Sequence, residues 1–413
     1  MYPLYALLFA DTGLSDAQIS ALFALWSAVG LLAEVPTGML ADRVPRRAAL
    51  AAAGVVQAAG FALWLLAPGF PGFATGFALW AIGGALTSGA LEALLFDALT
   101  AVGAAEHFPR LLGRVTSAGL LAQLPAAALA TVLFARGGYA LAGWASVGVC
   151  LAAAALAAAL PERRPGPPLL DDAPTVAAGA SEDAAEPGAP AAVAGGLLAD
   201  LRATAALPGA AGCALAVALM TSLDAVEEYA GLLAQDWGVP TTAVPLALVA
   251  VPLAGAAGAG LAGAAARLRA GSLALLVAAA AALLAAAALL ARPAGVLAVA
   301  AFYGLCQLAQ VVLAARLQQR IPAARRATVT SVAGLAAEVT SLFVFAAWAL
   351  GGALAVAVLV AVVAAAVPRL LRPGREHRPG HPRRLGRGVS RRRRWSRRAG
   401  PRRTSRPARG PRR

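Results

Sequence analysis

Apolar positions along this chain come in long runs rather than in alternation. Runs at 17–40, 48–67, 74–100, 115–135, 139–160, 208–233, 241–264, 271–291, 294–315, 327–350 and 352–371 are separated by short polar breaks. They are rich in Ala and Leu, and none shows the period of two that a barrel strand needs. About twenty residues in a helix cross the roughly 30 Å hydrocarbon layer of a bilayer. Inside that layer each backbone polar group must be paired within its own segment, so the pattern predicts transmembrane helices. An apolar stretch at 2–10, YPLYALLFA, precedes these runs and is too short to cross alone. The predicted fold class is an all-α polytopic membrane protein of twelve helices, the first one truncated.

Two segments break the pattern. Residues 161–205 contain PERRPGPP, DDAPT and SEDAAEPGAP, rich in Pro, Gly and acids and without periodicity, which predicts a flexible linker. From 372 onward Arg dominates, which predicts a disordered tail. The expected organisation is a six-helix bundle over 1–160, a linker over 161–205, a second six-helix bundle over 206–371 and a tail over 372–413.

The two halves resemble each other. A shift of 225 sets LLFADTGLS (7–15) on LLAQDWGVP (232–240), so that Leu7, Leu8, Asp11 and Gly13 meet Leu232, Leu233, Asp236 and Gly238. The same shift sets Gly30 on Gly255 and Gly38 on Gly263. Two like-oriented repeats are the plan of a large class of membrane carriers. Met1 then stands opposite Val226, well inside its span. A start assigned too late, or a truncated copy, is the expected reason for the short first span.

Composition agrees with lipid as the solvent. Only 13% of residues are charged, against about 25% in a soluble domain, and 60% are hydrophobic. All the basic side chains other than His are Arg. With 2–10 counted as the first span, fourteen Arg fall on one side of the membrane and only Arg136 and Arg292 on the other. The positive-inside rule then predicts that both termini and the linker are cytoplasmic and that the chain is a multi-pass protein of the inner (plasma) membrane. Nineteen more Arg lie from Arg369 onward, beside a single acid, Glu376. A tail lying on anionic lipid headgroups is expected, at roughly 1 kcal/mol per Arg. Only Trp395 could stack on a base, so no nucleic-acid partner is expected; a tail without a role is the other reading.

One charged break carries a motif. GMLADRVPRR (38–47) resembles the loop signature G-x-L-A-D-R-x-G-R-[KR] of the major facilitator superfamily, through Gly38, Leu40, Ala41, Asp42, Arg43, Arg46 and Arg47. Pro45 replaces the expected glycine and stiffens the turn. The approach EVPTG, from Glu34 to Gly38, also resembles bacterial members. Together with twelve spans split six and six, the resemblance covers 1–371. It implies the fold of that superfamily, two pseudo-symmetric six-helix bundles, and a carrier of small molecules acting as a monomer by alternating access. It also implies a gating latch of Gly38, Asp42, Arg43, Arg46 and Arg47, with Asp97 as the carboxylate that Arg43 reaches. A merely solvated turn would explain the Arg but not the ordered motif. The corresponding stretch of the second half, GLAGAAARLR (260–269), is degenerate and sets Arg267 opposite Asp42, so a one-sided latch is expected.

Glu34, Glu92, Asp97, Asp224, Glu227, Glu228 and Glu338 fall within spans. A charge at mid-bilayer costs roughly 2.5–3.5 kcal/mol, so such groups usually face a cavity and act. Asp224, Glu227 and Glu228 are spaced i, i+3, i+4, one face of a helix, and cannot all ionise cheaply. With Tyr229 they resemble an acidic pair plus Tyr found here in some bacterial members; an interfacial position of Glu227 and Glu228 is the competing reading. Glu92, Asp224, Glu227, Glu228, Tyr229 and Glu338 are the candidates for proton or substrate binding. No Arg or His lies in the middle of a span, where carriers of anions place one. With Gln123, Gln307, Gln310, Trp80 and Tyr303 as further lining, cationic or neutral amphipathic cargo and coupling to protons are expected. The fifth span has Pro125 but lacks the G-P-x-x-G-G of the superfamily's antiporters, so uptake stays open beside export. A membrane scaffold or sensor with the same fold is the other alternative. No HExxH, GxSxG or phosphate loop occurs, and Cys150, Cys213 and Cys306 lie in apolar runs without a His partner. No enzyme, cofactor or metal is expected.

Overall fold

In the computed structural model, residues 1, 3–160, 210–321 and 326–372 are described, apart from the side chains of some helical positions that include Gly38, Asp42 and Arg43. The linker expected at 161–205 and the tail beyond 372 lie outside the described residues. The elements are α1 (Tyr5–Asp11), α2 (Asp16–Arg43), α3 (Arg46–Leu66), α4 (Phe70–Ala101), α5 (Phe108–Ala158), α6 (Ala210–Thr221), a 3₁₀ segment (Ser222–Tyr229), α7 (Ala230–Asp236), α8 (Val244–Ala247), α9 (Ala250–Ala265), α10 (Ala270–Leu290), α11 (Gly295–Arg320) and α12 (Arg326–Leu370). The described residues contain no strand.

Nine helical stretches among the described residues are long and apolar enough to cross a membrane. Two of them, α5 with 51 residues and α12 with 45, are too long for single rods. Straight, they would measure roughly 76 and 67 Å, more than twice the hydrocarbon thickness. Both break at a glycine pair. Gly137 and Gly138 have φ/ψ of −155°/23° and 58°/−154°. Gly351 and Gly352 have −166°/24° and 56°/−150°. Leu129, Ala130 and Leu133 before the first break line the same cavity as Ala142, Ser146 and Val149 after it, so the chain doubles back. The breaks fall where the sequence separates 115–135 from 139–160, and 327–350 from 352–371. Counted with them, the long spans are the eleven apolar runs, and the seven-residue α1 stands for the short twelfth.

The sequence repeat corresponds to one helix cap built twice. At the end of α1 the N–H groups of Thr12, Gly13 and Leu14 donate to the carbonyls of Leu8, Ala10 and Phe9 at 3.0, 2.8 and 3.1 Å. At the end of α7 those of Trp237, Gly238 and Val239 donate to Leu233, Gln235 and Ala234 at 3.0, 2.9 and 2.9 Å. Gly13 and Gly238 take φ of 92° and 87°, a left-handed cap that glycine enters without a Cβ penalty. Ser15 then opens α2 with a capping box closed by Gln18.

Packing repeats as well. In the first half α4 lies against α2 and α3, and α3 against α5; in the second, α11 lies against α9 and α10, and α10 against α12. Small residues permit close approach. A Cβ on Gly60 would meet the Gly76 carbonyl oxygen, and one on Gly258 would meet that of Gly304. The halves touch through α2 with α12, α1 with α7, and α5 with α8.

Candidate functional site

Polar side chains tie the halves together along α1 and α2. Gln235 Nε2 donates to Asp11 Oδ1 at 3.0 Å, and Tyr139 Oη donates to Asp11 Oδ2 at 2.5 Å. The Tyr5 hydroxyl donates to the Glu228 carboxylate. Tyr229 Oη donates to Ser20 Oγ at 2.8 Å, while its fully buried ring stacks on Trp348 with centroids 3.9 Å apart. Further along α2, Ser27 Oγ donates to Glu338 Oε2 at 2.6 Å. Asp11, Ser20 and Ser27 thus mark a seam that starts at the end opposite the Arg-rich loops and runs toward the middle of the spans.

The acids expected on one helical face are separated instead. Asp224, Glu227 and Glu228 lie in the 3₁₀ segment, not in an α-helix. With three residues per turn, positions i and i+3 eclipse and i+4 is rotated by about 120°. Asp224 accepts from Gln307 Nε2 at 2.9 Å and from Gln310 Nε2 at 3.4 Å, both on α11. Glu227 and Glu228 line one small space beside Pro3 and Tyr5. Glu228 faces α1 and Tyr5. A run of eight residues is long for a 3₁₀ helix, which is usually three or four. Hydrogen bonds to the second half on one flank and to the first half on the other accompany it.

Beside the seam lies a cavity of about 310 Å³ between α2, α3, α4 and α12. Its polar lining includes Ser27, Glu34, Gln57 and Glu338, and its aromatic wall is Trp26 stacked on Trp80, centroids 5.7 Å apart and 25° between planes. Among its described lining residues none is Arg or His. Glu338, a candidate from the sequence, is in this cavity together with Glu34 of the EVPTG stretch. Glu92 is exposed on α4 one turn beyond Ser88, in line with the cavity-lining positions Ala81, Gly84, Ala85 and Ser88. Gln123 and Glu227 line a much smaller space of about 20 Å³ beside Pro3.

At the Arg-rich end Asp97 is paired with Arg46. Arg46 Nη1 lies 2.6 Å from Asp97 Oδ2. The expected partner was Arg43; the side chains of Gly38, Asp42 and Arg43 lie outside the described ones. Arg46 opens α3 directly after Pro45, so its side chain starts beside the C-terminal end of α4. Arg47 is exposed on the same turn.

Sequence reasoning missed Tyr5, Asp11, Ser20, Trp26, Ser27 and Gln57. Only Trp26, Gly30 and Glu34 carried a usable signal, a polar or small stripe at spacings of four. Single Ser residues in apolar helices carry none, because they hydrogen-bond their own backbone equally well.

The sequence model of the Major Facilitator Superfamily matches residues 1–345. No curated protein sequence matches this chain. Among solved structures, the nucleoside transporter NupG is similar with a TM-score of 0.61 at 11% identity, covering 89% of this chain and 91% of that one. A D-xylose-proton symporter gives 0.60 at 16% identity over 90% and 92%. A bacterial homologue of the iron transporter ferroportin in an inward-facing state gives 0.58 at 15% identity over 89% and 91%. At these identities the likeness is one of fold.

Proposed function

The chain belongs to the major facilitator superfamily, and from that premise we propose that it is a secondary transporter that moves a small cationic or neutral amphipathic compound by alternating access, in exchange for protons. The observation that carries this reading is the cavity of about 310 Å³, whose described lining offers indole faces and carboxylates and no base. A cavity without Arg or His is poorly suited to an anion and well suited to a cation or an apolar ring. The closed end, where Asp11 holds Gln235 and Tyr139, supports loading from the opposite, Arg-rich side. By the positive-inside rule that side is the cytoplasm, with both termini and the linker there and the protein in the plasma membrane. Cargo taken up there leaves the cell, which favours export over uptake.

In this reading two six-helix bundles, 1–160 and 206–371, rock about the seam as a monomer. The cytoplasmic latch consists of Gly38, Asp42, Arg43, Arg46, Arg47 and Asp97, and the tail beyond 372 lies on anionic headgroups. Glu92, Asp224 and Glu338 are the groups that carry the coupling proton, driven by roughly 2.3 kcal/mol per charge for each 100 mV. Glu227, Glu228 and Tyr229 shape the 3₁₀ segment around Asp224.

Proteoliposomes test this. An imposed pH gradient is expected to drive a cationic or neutral amphipath across the membrane, and inverting the gradient reads the direction. Asp224→Asn, Glu92→Gln or Glu338→Gln should cut the pH-dependent rate by about tenfold. Unchanged pH-dependent flux in all three variants overturns proton coupling through these groups. Absence of solute movement in either direction, across cations, sugars, peptides and nucleosides, overturns the transporter reading and leaves a scaffold or sensor.

A further inference from the structure

The two carboxylates of the cavity stand at different depths. Ser27, bonded to Glu338, and Glu34 are two turns apart on α2, with Glu34 nearer the Arg-rich end. The rise between them is roughly 10 Å. Trp26 adjoins Ser27, and Trp80 stacks on Trp26, so both indoles lie at the depth of Glu338. A cation at Glu338 has an aromatic wall beside it; one at Glu34 does not. The volume of about 310 Å³ is at the small end of the roughly 300–1,000 Å³ usual for small-molecule sites.

The present partner of Glu338 is a neutral hydroxyl. Ser27 Oγ donates to it at 2.6 Å across the seam. A charged group is the stronger partner for a carboxylate. Ser27 loses little when displaced, because a helical serine can bond the carbonyl four residues back. Thr37 on the same helix already does so, to Ala33 at 2.7 Å.

Resting on the transporter reading, we propose that this cavity binds an aromatic organic cation, with its charge on Glu338 and its rings over Trp80 and Trp26, and that the cation displaces Ser27 from Glu338. Loading then undoes the bond that ties α2 to α12 at this depth, and leaves the seam held by its contacts nearer the closed end. Glu34, closer to the mouth, draws the cation in and is vacated as the cation descends. Occupancy of the site is in this way linked to the strength of the contact between the halves, through one carboxylate oxygen.

The test is equilibrium binding of radiolabelled 1-naphthylmethylammonium, an aromatic cation that carries N–H donors, to the full chain in nanodiscs. Saturable binding is expected for the wild type. Glu338→Gln should weaken it by about tenfold or more, since an amide lacks the charge. Trp80→Ala should weaken it by about fivefold. Ser27→Ala should tighten it by about threefold, because the competitor for Glu338 is gone. No saturable binding to the wild type, equal binding by Glu338→Gln, or a loss with Ser27→Ala as large as with Glu338→Gln overturns the proposal. If Glu338→Gln does not fold, Glu338→Asp keeps the charge but withdraws it; weaker binding supports the site and unchanged binding overturns it. The assay requires no transport. Cation binding without flux in vesicles keeps the site and overturns the transporter reading, whereas flux of other solutes without cation binding does the reverse.

Discussion

Gln235 Nε2 and Asp11 Oδ1, 3.0 Å apart, join the two halves at the end opposite the Arg-rich loops. The second Asp11 oxygen takes the Tyr139 hydroxyl at 2.5 Å. One carboxylate therefore holds a donor from each half, at the exposed rim of that end. Asp11→Ala releases both. Exposed polar pairs contribute about 1 kcal/mol or less, which corresponds to a shift of roughly fivefold in an open–closed equilibrium. Cysteine placed at Thr241, which lies within 3.4 Å of Gln235, should react about fivefold faster with a membrane-impermeant maleimide in the Asp11→Ala background. An unchanged rate would mean that the Tyr5 and Tyr229 contacts hold this end without Asp11.

The Arg46–Asp97 pair makes an asymmetric prediction. Arg46 is at the first position of α3, where the positive end of the helix dipole opposes a cation. Asp97 offsets that repulsion at 2.6 Å, with the two side chains only 24% and 28% exposed. Asp97→Asn removes the carboxylate charge that faces Arg46 and the dipole. Arg46→Gln leaves Asp97 near a helix N-terminus, a favourable place for an anion. Asp97→Asn should therefore lower thermal stability more than Arg46→Gln, by about 1 kcal/mol. The double variant should show a coupling of about the same size in a mutant cycle. Equal single costs would remove the dipole from the explanation.

The parts of this fold legible in the sequence are those that lipid dictates. Apolar runs must be helices, and LLFADTGLS and LLAQDWGVP must end alike because only glycine enters the cap at Gly13 and Gly238 cheaply. The acids at 224, 227 and 228 were legible as residues that need partners. Their separation was not, because nothing in SLDAVEEY forces a 3₁₀ turn locally; the bonds from Gln307, Gln310 and Tyr5 come from distant helices. Ser27 was illegible for the same reason. Its role depends on Glu338 standing 311 positions away in the chain. Arg46 reaches Asp97 from the first turn of α3, and Pro45 separates that turn from the end of α2.

The glycine pairs give the sharpest test of the internal repeat. Gly138 and Gly352 adopt φ/ψ of 58°/−154° and 56°/−150°, a region that is essentially closed to residues with a Cβ. A Cβ on either would meet nothing within 4 Å, so an Ala there costs backbone conformation and not packing. Gly138→Ala and Gly352→Ala should each destabilise by about 1–3 kcal/mol. Because the two dihedral pairs agree within a few degrees, the two costs should be equal. The sites lie in different halves and share no partner, so the double variant should cost their sum. The neighbouring Gly351, with φ of −166°, lies outside the positive-φ region, and a Cβ there would meet only Ala355 Cβ, at 3.0 Å. Gly351→Ala should therefore cost less than Gly352→Ala. Thermal unfolding of the purified protein in detergent measures all four variants. A free substitution at Gly138 beside a costly one at Gly352 would show that the two hairpins only look alike and that the second is held by contacts the first does not have.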